Sequence, residues 1–378
     1  MIAPESETCD VLIIGGGPSG SSCARGLRDS GLDVLIMDKA TFPRDKVCAG
    51  WITPAVVDLL NLDLADYQRE HVLQPITRFR TGIIGGTAIE TEYGKTVSYG
   101  IRRCEFDDYL LKRCGARTRL GTPLKTIARN ENGWLVNGSL QAKLVVGAGG
   151  HFCPVARELN QENRSEHSVV LAQETEFELT PEQQSVCRVQ PDTPELYFCR
   201  DLKGYGWCFF KDGFLNVGMG REGEKQLSAV RDEFTDYLDQ EGRVPKEILG
   251  KFKGHAYRLY GLQKRTIVDD QVLLVGDAIG MASPQSGEGI RPAIETGFIA
   301  ADVIRSCQQD YAKARLATYQ ETLFRRYGEW SDNPEASLIP AAFRQFLGRQ
   351  LMSTQWFTRK VLLDRWFLQR NLPPLVHG

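Results

Sequence analysis

The chain lacks a strong charge of either sign: 46 Lys and Arg face 48 Asp and Glu, a formal net charge of −2. Without a long-range field, nucleic acid is excluded as a partner class. No run of about 18 apolar residues occurs, so no helix is expected to span a bilayer. Met1 to Thr8 has neither a basic region nor an apolar core, so no secretory signal is read there. Ten cysteines are present, but none form C-x-x-C and none cluster with histidine, so no metal site is expected. Histidine is scarce, and His71, His151, His167 and His255 have no partner pattern and receive no role. Internal repeats and long low-complexity linkers are missing as well. The remaining reading is a cytoplasmic protein with reduced thiols. Hydrophobic content of 42% and charged content of 25% are ordinary for a globular protein. A length of 378 residues suffices for two domains or one large, interrupted one.

The stretch Cys9 to Lys39 organises the rest. Val11-Leu12-Ile13-Ile14 is wholly apolar, as a parallel strand buried on both faces must be. It runs into Gly15-Gly16-Gly17-Pro18-Ser19-Gly20, which fits G-x-G-x-x-G. In that pattern Gly15 permits a tight turn, Gly17 lets backbone approach a pyrophosphate, and Gly20 lets helix pack on strand. The helix expected from Pro18 to Ser30 aims its first N–H groups and positive dipole end at the phosphates. Val34 to Met37 is a second apolar strand, and Asp38 at its end is placed to accept from a ribose hydroxyl. Strand, glycine loop, helix, strand and acid in register predict a bound dinucleotide.

Further on, Thr53 and Pro54 open a short helix, and Thr77–Gly82 with Thr87–Glu92 read as a hairpin around Gly85-Gly86. Arg103 begins an amphipathic helix carrying Phe106, Leu110 and Leu111. Leu144 to Gly147 returns to a buried strand ending in glycines. Val169 to Met219 is strand-rich, with a hairpin signal at Lys211-Asp212-Gly213. A helix is expected from Gln226 to Gln240, a buried strand at Val272 to Val275, and helices over Ala293–Ser306 and Tyr311–Arg326. The dinucleotide domain is thus expected from three segments, 1–76, 101–157 and 262–332. A strand-rich substrate domain (77–100 and 158–261) is inserted, and 333–378 forms a helical end.

Four blocks in this order resemble FAD enzymes of the p-hydroxybenzoate hydroxylase type: the opening fingerprint, Arg103-x-x-Phe106-Asp107, the strand ending at Gly147, and Gly276-Asp277-Ala278. Within them, Lys46-Val47-Cys48-Ala49-Gly50, Tyr205-Gly206-Trp207-Cys208-Phe209-Phe210 with Asn216-Val217-Gly218, and Ser286-Gly287-Glu288-Gly289-Ile290 look like segments of the geranylgeranyl reductase family. The resemblance covers roughly residues 9 to 326. It implies an α/β fold with a Rossmann-like, three-segment FAD-binding domain of the glutathione-reductase/p-hydroxybenzoate-hydroxylase type, an inserted antiparallel β-sheet substrate domain and a helical C-terminus. It implies FAD as cofactor, held by Gly15, Gly17, Pro18, Ser19, Gly20, Asp38, Lys39, Arg44, Cys48, Ala49, Gly50, Arg103, Gly276, Asp277, Gly287, Gly289 and Ile290. Asp277 would face the ribityl and pyrophosphate part, Arg103 would lie near the pyrophosphate, and Pro284 to Ile290 would lie along the ring. A helix N-terminus there would stabilise the negative charge of reduced flavin. The implied activity is reduction of carbon–carbon double bonds of an isoprenoid or similar apolar substrate by hydride transfer. A flavin monooxygenase or halogenase-like enzyme and an electron-relay flavoprotein are the rivals.

Departures from the family pattern matter. Gly149 replaces the acid of G-A-D-G, so reduction by NADPH is in doubt and a protein donor such as ferredoxin is the other source of electrons. Gly280 stands where hydroxylases carry His, which argues against aromatic hydroxylation. Cys48 is the catalytic candidate: beside Lys46 a thiol can donate a proton, whereas the plainer reading is a small residue packing the ring. Tyr205 and Trp207 share one face of a strand and are read as walls for an apolar substrate, with Cys208 and Phe210 facing away. Glu288 is a general-acid candidate against the reading of a solvent-facing loop carboxylate. The tail Trp356 to Phe367 is aromatic and basic, and is read as docking on the protein body, with peripheral membrane contact as the alternative. A monomer is expected.

Overall fold

The computed structural model describes residues 7–161, 169–223, 227–262, 264–330 and 341–377, with backbone alone for 341–346. His167, the first residue of the helix expected from Gln226, and the boundary at 332/333 lie outside the described residues. The apolar strand Glu7–Ile14 occupies the middle of the first sheet, parallel to Val34–Met37 on one side and to Leu140–Gly147 on the other. Arg117–Arg119 and Val272–Leu274 extend this parallel array outward. Because helices cover both faces of its centre, the sheet is apolar there: Val11, Leu12, Ile13, Leu144, Val145 and Val146 are fully buried, whereas the edge strand Arg117–Arg119 is polar. The hairpin Ile127–Asn130 and Gly133–Val136 pairs antiparallel with the start of Leu140–Gly147.

The helix after the glycine loop runs from Pro18 to Gly26, shorter than expected. Arg28 and Ser30 close i→i−3 turns onto Arg25 and Leu27, so the last residues before Gly31 tighten out of α geometry. The long helix Ile290–Ser306 packs against it and begins three residues earlier than the apolar pattern suggested, with Gly289 at its N-cap and the Glu288 carboxylate accepting from the Arg291 N–H of its first turn.

The second sheet has seven strands in the spatial order Lys253–Tyr257, Val170–Glu178, Phe214–Glu222, Gly204–Lys211, Glu195–Phe198, Arg78–Ile83 and Ile89–Glu92. All pairs are antiparallel except Glu195–Phe198 with Arg78–Ile83. Asp212 and Gly213 both have positive φ (45° and 88°), the backbone of a tight hairpin turn matched to sheet twist. One face is covered by the helix Leu227–Gln240 through Phe234 and Leu238, and there Cys208 is buried. The opposite face carries Trp207 and Phe209. A small sheet of Trp51–Ile52, Ser98–Ile101 and Leu73–Ile76 lies between. Ser98–Ile101 therefore pairs with segments before residue 77, and not with the strands expected of 77–100.

At the C-terminus, a helix at Ala341–Met352 is followed by Gln355–Phe357 and by wide π-type turns over Thr358–Phe367. Leu362, Leu363, Phe367 and Leu368 are buried against the second sheet. The buried Arg291 fastens the end of the chain by donating to the carbonyls of Gln369, Leu372 and Pro373. Trp356 stays 67% exposed. Among the described residues, no helix is long and apolar enough to cross a membrane.

Candidate active site

The carboxyl ends of the parallel strands, the segment 44–51, the 282–290 loop and the Trp207 face of the second sheet enclose one cavity of about 500 Å³. At its first end, the glycine loop is built by close approach. A Cβ on Gly20 would stand 1.9 Å from the Gly15 carbonyl oxygen, so only glycine lets the helix rise directly from the strand. Asp38 accepts from the Gly16 N–H and the Ala40 N–H, both at 2.8 Å, which locks the loop to the second strand and leaves lone pairs for a hydroxyl. Lys39 lines the same end.

Arg44 stands over Gly17, its guanidinium 3.3 Å from where a Cβ would be. Asp107, fully buried, accepts two hydrogen bonds from Arg103, each 2.9 Å, and lies 3.2 Å from Arg44. Arg103, which the resemblance puts near the pyrophosphate, lines the same cavity, is paired with Asp107 and stands beside the Cys48 thiol, and Arg44 is a second arginine at the glycine loop. Lys46, the cation expected beside Cys48, lies within electrostatic reach of that thiol, and its Nζ meets His255 Nε2 at 2.5 Å. Burial lowers Lys46 to about 8 against the pull of Asp277. Burial and then Lys46 hold His255 down to about 3, and burial with Arg258 holds His151 down to about 4. Both rings are therefore neutral, and His151 Nδ1 is buried without a partner. Burial raises Asp277, opposed by Lys46 and Arg103. Gly276 begins a single tight turn there, its N–H bonded to Thr296 at 3.0 Å.

Cys48 is half-buried and its Sγ accepts from the Gly50 N–H at 3.4 Å. Gly50 has φ +68° and its missing side chain faces the Ile101 carbonyl, where a Cβ would be 2.1 Å away, so the turn after Ala49 requires glycine. Across the cavity, Ser286, Gly287, Glu288, Gly289 and Ile290 lead into the long helix. Glu288 is not a solvent-facing carboxylate: it lines the cavity, accepts from the Arg291 N–H at 2.8 Å and from Gln369 Nε2 at 3.3 Å, and burial raises it to about 7.

The apolar end is aromatic. Tyr205 and Trp207 line it together with Trp51, Tyr257 and Phe367. Tyr205 donates to the Ser286 carbonyl at 2.5 Å, and Trp207 Nε1 donates to Asn216 at 2.7 Å, so each ring is held by its polar atom. Phe367 stacks on Trp51 with centroids 5.6 Å apart and meets Tyr205 edge-on at 5.4 Å.

A family model described as an FAD binding domain matches residues 8–326. The chain belongs to that family. It is an FAD-dependent oxidoreductase, and FAD is its cofactor. The residues present fit the group: a glycine cradle beside Arg44 suits a diphosphate, Asp38 suits a ribose, and Lys46 with the unpartnered His151 suits a polar ligand in the middle of the cavity. Similar proteins include a menaquinone reductase of Mycobacterium tuberculosis, 27% identical over 90% of this chain and 86% of the relative. A digeranylgeranylglycerophospholipid reductase of Methanococcus vannielii is 26% identical over 83% and 82%. Among solved structures, a geranylgeranyl bacteriochlorophyll reductase-like protein of Thermoplasma acidophilum superposes with TM-score 0.73 at 20% identity, covering 96% of this chain and 99% of that one. A flavin-dependent brominase reaches 0.67 at 17% identity, covering 96% and 92%.

In this family member the structure brings all the expected cofactor and substrate residues to one cavity except Gly20 and Gly276, which shape its walls from behind. Residues that sequence reasoning missed are His151, His255, Tyr257 and Phe367. The alternation of His255 and Tyr257 along Lys253–Tyr257 could have flagged both as facing one side. Nothing local marks His151 or Phe367.

Proposed function

We propose that this flavoprotein saturates carbon–carbon double bonds of an isoprenoid or similarly apolar chain. The observation that carries the reading is the single cavity whose polar, glycine-lined end continues into a wall of Trp51, Tyr205, Trp207 and Phe367. FAD, when bound and reduced, supplies the hydride. The residues of the chain do the rest. Arg44, Asp38 and the Gly15–Gly20 loop bind the dinucleotide end, and Asp277 and Lys46 face its middle. The aromatic wall excludes water and aligns an alkene by apolar contact; of its polar atoms, those of Tyr205 and Trp207 are bonded within the protein, and Trp51 Nε1 is buried without a partner. Cys48 Sγ, on the cavity wall beside the Arg103 guanidinium, supplies the proton, and Glu288 is the second acid within the same cavity. The names of the relatives support this reading, since both are reductases. Anaerobic incubation of dithionite-reduced protein with prenyl lipids of different length, followed by product mass, tests it. Gain of two hydrogens per double bond is the expected product; recovery of unchanged alkene throughout the series refutes it.

A further inference from the structure

The sheet face that carries Tyr205 and Trp207 holds a buried cluster of polar side chains among its aromatic residues. Glu174 and Glu176 stand two apart on the strand Val170–Glu178, Asn216 is the ladder partner of Glu176, and Lys211 ends the strand that carries Trp207. Glu174 is 6% exposed, Lys211 1% and Asn216 0%. Burying an ion pair in such a place costs desolvation that well-packed apolar residues would avoid, so stability alone does not account for it.

What these side chains grip is the backbone beside the cavity. Glu174 accepts from Asn216 Nδ2 at 3.4 Å. Asn216 Nδ2 donates to the Cys48 carbonyl at 3.3 Å, and Lys211 Nζ to the Ala49 carbonyl at 3.0 Å. Lys211 is itself fixed by Glu176 at 2.5 Å and the Ile101 carbonyl at 3.0 Å. The other end of the Asn216 amide accepts from Trp207, a ring on the substrate wall. Asn216 and Lys211 of the second sheet thus hold two consecutive peptides of the segment that presents the thiol, and Glu174 and Glu176 hold the Asn216 amide.

We propose that Glu174, Asn216 and Lys211 are positioning residues, a buried clamp that sets the Cys48 thiol and the Ala49–Gly50 backbone against the cavity. This rests on the reading of the cavity as a reduction site. Burial raises Glu174 to about 7, with Lys211 and the Asn216 amide opposing. The charged groups around it are Glu176 on its own strand, Lys211 two strands away on the same sheet face, Lys253 across the ladder with its ammonium turned to Asp45, and Arg102 bound to Glu176 and Glu105; the Cys104 and Cys48 thiols lie nearby. Above neutrality the carboxylate holds the Asn216 amide, and through it the Cys48 carbonyl, by a charged hydrogen bond. Below it the neutral acid holds the same amide more weakly, and the thiol is less firmly placed.

The test uses FAD-loaded full-length protein and site-resolved alkylation of Cys48 by iodoacetamide, read by peptide mass, from about pH 6 to about pH 8. Glu174→Gln keeps the shape and the acceptor but cannot titrate. The ratio of wild-type to Glu174→Gln alkylation rates should change by about fivefold across neutrality, the gap between a charged and a neutral hydrogen bond. Glu174→Ala, lacking the acceptor, should alkylate faster than Glu174→Gln at every pH. A ratio that stays flat with pH overturns the proposal, and Glu174→Gln alone decides if the alanine variant does not fold. A pH-dependent ratio in protein that reduces no prenyl lipid would uphold the clamp and sink the reduction reading instead.

Discussion

Phe367 joins the C-terminal helix to the substrate wall, and its removal should be felt twice. The ring is 3% exposed, stacked on Trp51 at 5.6 Å and edge-on to Tyr205 at 5.4 Å and Phe198 at 6.4 Å. Phe→Ala in a closed core costs roughly 3–5 kcal/mol. Here the new void opens into an existing cavity, so Phe367→Ala should cost about 3 kcal/mol, and Phe367→Leu less than about 1.5 kcal/mol. Urea unfolding of FAD-loaded protein measures both. The second effect is on selectivity. A longer cavity should raise kcat/KM for longer prenyl chains relative to shorter ones by about tenfold, the scale set by one small apolar group in a pocket. Phe367→Ala with wild-type stability and an unchanged order of chain lengths would show that the C-terminal helix is not part of the wall.

Cys48→Ala should keep FAD and accept electrons while its single-turnover reaction with alkene slows by roughly 10²-fold, and Cys48→Ser should remain slow despite its similar volume. Equal rates in all three proteins would reduce Cys48 to a packing residue worth about 1 kcal/mol. For Glu288, burial lifts the acid from 4.5 to about 7, so the folded chain holds a proton that the unfolded chain releases. Its contribution to stability is complete below the unfolded value and is lost as pH rises through about 7, by at most about 3 kcal/mol. Glu288→Gln should flatten the fall of unfolding free energy between about pH 5 and about pH 8, leaving the part due to Glu174; an unaltered profile would mean Glu288 is not buried as described. Gly149 replaces an acid, and a Cβ there would meet Cys153 Cα at 3.1 Å, so NADPH alone should reduce the flavin slowly. Stopped-flow reduction by NADPH on the order of 10 per second or faster contradicts this.

The dinucleotide half was readable because its signals are local. A parallel strand covered on both faces must be apolar throughout, so Val11–Ile14 and Val34–Met37 announce themselves, and Gly20 is forced by a contact only five residues away. The hairpin at Asp212-Gly213 was equally plain, since positive φ at both positions demands such residues. Glu288 was misjudged because a loop carboxylate meets solvent or not according to what covers it, and the cover is Gln369, 81 residues away. Lys211 reads as an ordinary turn lysine until Glu176 and the Ala49 carbonyl are seen around it. An aromatic, basic tail has the same pattern whether its apolar stripe meets lipid or protein; only the burial of Leu362, Leu363 and Phe367 shows the protein contact. Ser98–Ile101 alternates like any edge strand, and its sequence does not name the sheet it joins.

The central claim is that electrons leave this flavoprotein into a carbon–carbon double bond. The most direct test follows flavin absorbance after a polyprenyl lipid is mixed anaerobically with the reduced protein. The account predicts return of the oxidised flavin spectrum without oxygen, with one double bond saturated for each flavin reoxidised. A spectrum that stays bleached until air is admitted, followed by hydroxylated or halogenated product, would contradict it.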